Sequence, residues 1–134
     1  MKKLQKLQII QKKLNNQTFK SNTINRKVSV APMMDCTDRH DRFFLRLMSK
    51  NVMLYSEMVA TKSAIHGDRK KILFYSPEEK PLALQVGGSD KNELSEVCKI
   101  AEEMGYDEIN INLGCPSKKV QKNKFGACLM KEPD

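Results

Sequence analysis

The chain has 134 residues, which is enough for at most one domain with a core of moderate size. Its net charge of +8 is concentrated in residues 1–30, which contain eight basic and no acidic residues, and the remainder is balanced. No apolar run approaches the roughly 20 residues that a membrane-spanning helix needs. The four cysteines form no C-x-x-C pair, which argues against a zinc site or a disulfide framework and favours reduced thiols in the cytoplasm.

Residues 1–26 are rich in Lys, Asn and Gln and are expected to form a basic tail before the folded domain. Three interpretations remain open: a solvated, disordered tail, an arm that contacts RNA, or an organellar presequence. Few arginines and little serine make the presequence atypical. Four apolar residues at helical spacing also allow a weak amphipathic helix: Leu4, Leu7, Ile10 and Leu14.

From residue 28 onwards the sequence alternates between strand-like and helix-like segments. A first strand is predicted over residues 28–33. The helix after it begins at Thr37 or Asp38, either of which suits an N-cap, and ends near residue 50. Its apolar residues recur on one side and are expected to face the core: Phe43, Phe44, Leu47 and Met48.

The same alternation continues along the chain. A second strand is predicted over residues 52–55 with Glu57-Met58 just after it, followed by a short helix over 61–66. A third strand over 82–86 ends at Gly87-Gly88.

The clearest predicted helix covers residues 91–104, with Ser89 or Asp90 as its cap and Gly105 after it. A fourth strand over 107–113 and another helix from residue 125 complete the pattern. Cys128, early in that last segment, is predicted to lie in the core. The apolar face of the helix over 91–104 is predicted to be Leu94, Val97, Cys98 and Ala101.

Four strand–helix units predict an α/β fold with parallel strands. No G-x-G-x-x-G follows the first strand, which argues against a Rossmann dinucleotide site. A (β/α)8 TIM barrel takes about 250 residues and has its active site at the carboxyl ends of its strands. The predicted fold is therefore a TIM barrel truncated to about its first four βα units, over residues 27–134.

Polar or reactive residues stand where each predicted strand ends. Asp35, Glu57 and Gln85 end or follow the first three strands, and Asn110 and Asn112 end the fourth. Parallel strands would bring these side chains to one rim. The fourth strand is followed by a thiol between a glycine and a proline, in Gly114-Cys115-Pro116, and this thiol is either catalytic or a packing residue.

Five motifs in this order resemble the flavin-dependent tRNA-dihydrouridine synthases of the A type, over about residues 27–133. They are Ala-Pro-Met-Met-Asp-x-Thr-Asp-Arg-His at 31–40, Tyr-x-Glu-Met at 55–58, Leu-Gln-x-Gly-Gly-Ser at 84–89, Tyr-Asp-Glu-Ile-Asn-x-Asn-x-Gly-Cys-Pro-Ser at 106–117, and Val-Gln followed by Phe-Gly-Ala-Cys-Leu-Met at 120–130. Cys36 stands where the family usually has tryptophan, so the first loop is expected to pack differently.

The resemblance implies reduction of a D-loop uridine of tRNA, of the position-20 type, to 5,6-dihydrouridine. FMN would be the cofactor and NADPH the reductant. Cys115 would be the general acid that protonates C5 after a hydride reaches C6, which suits an ordinary thiol with a pKa of about 8.5. Asn112 would contact the target uridine, because an amide offers a donor and an acceptor to the base.

The resemblance also implies a flavin site. Pro32, Met33 and Met34 would line the flavin, Gln85 would hydrogen-bond the isoalloxazine edge, and Glu57 is a weaker candidate for positioning flavin or substrate. The family places further flavin contacts and a tRNA-binding helical domain later in its chain. The 134 residues alone are therefore expected to bind FMN weakly and to be inactive.

Two other functions remain open from the residues. One is a different flavin TIM-barrel oxidoreductase that acts on a free pyrimidine, and the other is a non-catalytic truncated product with an RNA-binding basic tail. His40 and His66 are interpreted as structural. Four lysines after Cys115 form either a solvated loop or a phosphate contact: Lys118, Lys119, Lys122 and Lys124.

Overall fold

The computed structural model describes residue 24 and residues 26–131. The interpretations of the basic tail fall almost entirely outside the described residues. Within them, no helix is long and apolar enough to cross a membrane. The helices are α1 Arg39–Met48, α2 Thr61–His66, α3 Arg69–Ile72, α4 Lys91–Met104 and α5 Lys118–Lys122; the strands are β1 Leu54–Tyr55, β2 Val59–Ala60, β3 Leu82–Gly87 and β4 Glu108–Ile111; 3₁₀ helices cover Pro77–Glu79 and Gly126–Lys131.

The strands form one parallel sheet with β3 at its centre. β1 and β2 both pair with β3 along one edge, and β4 pairs with it along the other. The register sets Leu84 beside Ile109 and Gln85 beside Asn110. This confirms the predicted α/β fold with parallel strands.

The predicted first strand over residues 28–33 is wrong. This segment contributes only a single parallel bridge, Ser29 to Met53, and the N–H of Val30 donates to the carbonyl of Met53 at 3.0 Å. Pro32 has no N–H with which to extend the ladder. The carbonyl of Met33 accepts from the N–H of Thr37 at 3.0 Å, so the chain turns away from the sheet.

Helix α4 has the predicted bounds, and its ends are capped as expected. The side chain of Asp90 accepts from the N–H groups of Asn92 and Glu93, and Gly105 takes the left-handed conformation with φ of 83°. The prediction that Cys98 lies in the core is wrong, because Cys98 is exposed. At 3.6 residues per turn the buried stripe contains Ile100 and turns Cys98 outward. The core joins α2, α4 and the sheet through Ala64, Leu73, Leu84, Val86, Val97, Ile100 and Ala101.

Helix α1 begins after its cap Asp38, as predicted, but the predicted apolar face does not point to the core. The four residues of that face are exposed, with Leu47 at 72%. Arg42 and Arg46 are buried instead. The predicted face was Phe43, Phe44, Leu47 and Met48.

The buried side of α1 is charged because it contacts Glu79, whose side chain is fully buried. Arg42 Nε lies 2.6 Å from Glu79 Oε2, and Arg46 Nη2 donates to the carbonyl oxygens of Glu79 at 2.9 Å and Pro81 at 3.1 Å. The other carboxylate oxygen of Glu79 accepts from the N–H of Ser76 at 2.7 Å. Burial lowers the pKa of Arg46. One carboxylate therefore joins α1 to the segment that leads into β3.

Arg26 attaches the beginning of the described chain to the sheet. Its Nε donates to Glu108 Oε2 at 2.9 Å, and the hydroxyl of Tyr55 donates to Glu108 Oε1 at 3.4 Å. Arg26 is thus bonded to the first residue of β4.

We predict that Glu79→Gln lowers the free energy of unfolding by about 3–5 kcal/mol, because it leaves the buried guanidinium of Arg42 without a counter-charge. Urea denaturation followed by circular dichroism measures the change. Glu78→Gln is the matched control, since Glu78 lies in the same 3₁₀ helix and is exposed. Equal stabilities of the two variants would contradict the prediction.

A second prediction concerns pH and the cap of α1. The N–H groups of Asp41 and His40 donate to the Asp38 carboxylate, which lowers the pKa of Asp38 below its ordinary value of 3.8. Asp38 therefore stabilises the fold fully above that value, and its contribution is lost as the pH falls through the lower, folded-state pKa. The stability deficit of Asp38→Ala, measured by thermal melts, should be largest near neutral pH and should shrink in this acid range. A deficit that does not change with pH would refute this origin.

Candidate active site

Three carboxamide side chains meet on one face of the sheet. Leu84 and Val86 of β3 pack against the helices, so Gln85 between them points to the opposite face. Gln85 Nε2 donates to Asn110 Oδ1 at 2.7 Å, and Asn112 Nδ2 donates to Gln85 Oε1 at 3.1 Å. The structure therefore brings together Gln85 and Asn112, two of the residues singled out in the sequence.

The turn that carries Cys115 is held from both sides. On one side, Asn112 Oδ1 accepts from the N–H groups of Gly114 at 3.2 Å and Cys115 at 2.9 Å. On the other side, the carbonyl oxygen of Cys115 accepts from the N–H of Ala127 at 3.0 Å. Gly126 permits this approach, because it has φ of 73° and a Cβ there would fall 2.6 Å from the Cys115 carbonyl oxygen. The backbone of Cys115, a half-buried residue, is therefore held on both sides.

The loop that contains Pro32, Met33 and Met34 is anchored by two side chains. Thr37 Oγ1 accepts from the N–H of Met33 at 3.0 Å, and Glu57 Oε1 accepts from the N–H of Asp35 at 2.5 Å. Asp35 has φ of 60°, a conformation that few residues other than glycine adopt. The Glu57 carboxylate thus holds the backbone of this loop.

A cavity of about 930 Å³ lies at the carboxyl ends of β2 and β3. Met34 and Cys115 both line it, whereas Pro32, Met33, Gln85 and Asn112 do not. Its size is within the usual range of cofactor and ligand sites. Its lining includes the apolar side chains of Met34, Met58 and Phe125 and the polar residues Thr61, Ser89, Asp90 and Glu93.

Three of the four lysines after Cys115, Lys118, Lys119 and Lys122, lie on α5 rather than in a loop. Ser117 caps α5, its hydroxyl accepting from the N–H of Val120 at 3.2 Å, and the buried Val120 packs beneath the helix. Lys119 also lines the cavity. The exposed lysines are Lys118, Lys119, Lys122 and Lys124.

Two residues that bond to Gln85 received no role in the sequence analysis. Ser56 is buried, and its hydroxyl accepts from the N–H of Gln85 at 3.0 Å and donates to the carbonyl of Glu57 at 2.8 Å. Asn110 was noted at the rim but received no role. Its alternation with Asn112, which directly follows β4, was the signal, because alternate residues of an extended strand share a face.

Among residues 26–131 no group of three or more His, Cys, Asp or Glu side chains is placed to hold a metal ion. The described site contains a thiol and several carboxamides near a cavity with apolar and polar lining residues. Cys128 lies half-buried in the last 3₁₀ helix, and its thiol donates to the carbonyl of Phe125 at 3.1 Å.

A parallel α/β sheet with polar side chains and a cavity at the carboxyl ends of its strands is typical of α/β enzymes. The comparison with known families is more specific. Residues 29–134 match the family described as dihydrouridine synthase (Dus), and the chain belongs to this family.

Curated relatives agree with the family. A tRNA-dihydrouridine(20/20a) synthase of Synechocystis sp. is 54% identical over 116 residues, 87% of this chain and 34% of the relative. The proteins of the same name from Shewanella oneidensis and Pseudomonas aeruginosa are 54% and 57% identical, over 90% and 82% of this chain and 36% and 33% of their own. The chain spans about a third of the length of these curated relatives.

We predict that Gly126→Ala lowers the free energy of unfolding by more than about 1 kcal/mol. Alanine is strained at the positive φ of this position, and its Cβ would overlap the Cys115 carbonyl oxygen. Urea denaturation gives the stability, and mass spectrometry after brief thiol alkylation gives the accessibility of Cys115, which should rise. Gly114→Ala is the matched control, since a Cβ there meets no atom within 4 Å. A Gly126→Ala protein with unchanged stability and labelling would contradict the prediction.

Proposed function

We propose that the chain is part of a tRNA-dihydrouridine synthase that reduces uridine 20 or 20a of the D-loop to 5,6-dihydrouridine. FMN would be its cofactor and NADPH its reductant. The observation that carries the proposal is Cys115, whose backbone N–H donates to Asn112 and which lines a cavity at the strand ends in a chain of this family.

We further propose that residues 27–134 form the first half of a (β/α)8 barrel, preceded by the basic tail. The parallel sheet supports this proposal, since Ser29 bridges to Met53 just before β1, β1 pairs with β3, and β3 pairs with β4. The exposed apolar side of α1 supports it too, because helices around a barrel pack against neighbouring helices.

The residues present fit a flavin ring. Met34, Met58 and Phe125 offer apolar surface for a flat aromatic ring, and the cavity has an appropriate volume. The absence of a side chain at Gly87 allows Phe125 to lie against the backbone at the end of β3, because a Cβ on Gly87 would fall 2.5 Å from Phe125 Cε2. When bound, FMN supplies the hydride that reduces the C5–C6 double bond of uracil. Pro32 and Met33 would support the ring from the loop that Glu57 and Thr37 hold.

Gln85 would recognise the polar edge of the flavin ring. Gln85 does not line the cavity, so a flavin ring whose polar edge it recognises would extend beyond the cavity to the sheet face that Gln85 occupies. A glutamine amide has two N–H groups and an oxygen with two acceptor sites. Its contacts with Asn110 and Asn112 use one N–H and one acceptor site. One donor and one acceptor therefore remain for a ring edge that presents both.

Cys115 would act as the general acid. Reduction adds a hydride at C6 of uracil and leaves a carbanion equivalent at C5, which takes the proton from the Cys115 Sγ. The thiolate that remains then regains a proton from water. Asn112 would orient the base, because one of its Nδ2 hydrogens is not used by Gln85 and can donate to a uracil carbonyl.

The target uridine must leave its stack to reach such a cavity, at a cost of a few kcal/mol. The exposed lysines on and after α5 stand next to the Cys115 turn, and phosphate contacts at this place would help to hold the displaced strand. The charge of this helix therefore supports tRNA rather than a free pyrimidine as substrate.

We predict that Cys115→Ala in the complete enzyme lowers uridine reduction by about 10²-fold or more while FMN stays bound, because the proton donor is lost and the cavity wall is kept. Mass spectrometry of the tRNA nucleosides measures dihydrouridine, and the absorption spectrum measures bound flavin. Cys98→Ala is the control, since Cys98 is exposed on α4. Normal turnover by Cys115→Ala would falsify the assigned role.

A further inference from the structure

The three carboxamides form a continuous series of hydrogen bonds that ends on the backbone of the Cys115 turn. The N–H of Cys115 donates to Asn112 Oδ1 at 2.9 Å, and Asn112 Nδ2 donates to Gln85 Oε1 at 3.1 Å. Gln85 Nε2 then donates to Asn110 Oδ1 at 2.7 Å. Asn110 is the last member of the series and the most distant from the thiol along it.

The direction of every bond in the series follows from its first member. A backbone N–H can only donate, so the Asn112 atom that faces the N–H groups of Gly114 and Cys115 must be its oxygen. The nitrogen of Asn112 then faces Gln85, which must present its oxygen. Gln85 consequently presents its nitrogen to Asn110, which must accept.

We propose that Asn110 is a positioning residue that fixes the orientation of the Gln85 carboxamide, and through Gln85 that of Asn112. The inference rests on the proposed function, in which Gln85 contacts the flavin and Asn112 contacts the uridine. A reversed Gln85 amide would set nitrogen against Asn112 nitrogen and oxygen against Asn110 oxygen. It would also exchange the donor and acceptor that Gln85 offers to a bound ring.

Burial and register make Asn110 effective in this role. Gln85 is only 5% exposed, so water is poorly placed to replace a missing partner of its amide. Asn110 is the residue directly beside Gln85 in the β3–β4 register, so its side chain needs no loop to reach Gln85. Removal of the Asn110 oxygen would leave a buried N–H of Gln85 without an acceptor. The Gln85 carboxamide would then lose the contact that fixes its orientation at this end.

The test compares Asn110→Leu, which has a similar shape and no acceptor, with Asn110→Asp, which keeps an oxygen for Gln85 Nε2. Both are made in the complete enzyme, with Asn92→Leu, exposed on α4, as the control. Stopped-flow absorbance follows reduction of FMN by NADPH and its reoxidation by tRNA, and equilibrium titration gives the FMN affinity. Thermal melts confirm folding, and Asn110→Val replaces Asn110→Leu where the latter does not fold.

We expect Asn110→Leu to weaken FMN binding and to slow reoxidation by tRNA, each by about tenfold or more, as one unsatisfied buried amide would cause. Asn110→Asp should recover most of both losses, and Asn92→Leu should match the unsubstituted enzyme. Normal FMN affinity and reoxidation in a folded Asn110→Leu enzyme would overturn the inference, as would equal losses in the Leu and Asp variants. Failure of the unsubstituted enzyme to reduce tRNA would instead overturn the proposed function.

Discussion

The parallel pairing of β3 with β4 in one register is the constraint on which the core and the candidate site both depend. Side chains alternate along each strand, so the pairing of Leu84 with Ile109 also determines the pairing of Gln85 with Asn110. A slip of β3 by one residue would turn Gln85 toward the apolar side of α4 and Leu84 away from it. Burial of the aliphatic side chains therefore selects the same register that brings the amide side chains together.

The second constraint is the buried charge between α1 and the segment before β3. Three charged side chains are buried here, Arg42, Arg46 and Glu79. Their burial is costly unless opposite charges are paired, and Glu79 has both carboxylate oxygens engaged. This arrangement reverses the usual surface helix, because the arginines of α1 face inward and its apolar side chains face outward. In the proposed barrel the outward side would lie against another helix, so α1 would be anchored by charge on one side and by apolar packing on the other.

Much of the fold was predictable from the sequence because local signals and tertiary packing agreed. Asp90, the apolar stripe and Gly105 all favoured the same helix, and α4 has the predicted bounds. The prediction that the apolar side of α1 faces the core was wrong, because periodicity shows that a helix has an apolar side but not which part of the protein covers it. The first strand was overestimated because Val28 and its neighbours have strand-like composition, whereas the ladder depends on partners that composition does not reveal. At the site, the rim was predictable from parallel strands, but the roles of Ser56 and Asn110 depend on which side chains face each other across the sheet.

The Cys115 turn is coupled mechanically to the helix that follows it. Only Pro116 separates Cys115 from Ser117, which caps α5, and the Pro116 carbonyl accepts from Gln121 Nε2 at 2.7 Å. The connection between the Cys115 turn and α5 is short and its φ at Pro116 is fixed, and Asn112 holds the backbone of the same turn from the sheet side. In the proposed enzyme, phosphate groups bound to the α5 lysines would act on the same turn that presents the acid. Substrate binding and the position of the proton donor would then be linked through one backbone segment, without any movement of the sheet that carries Gln85.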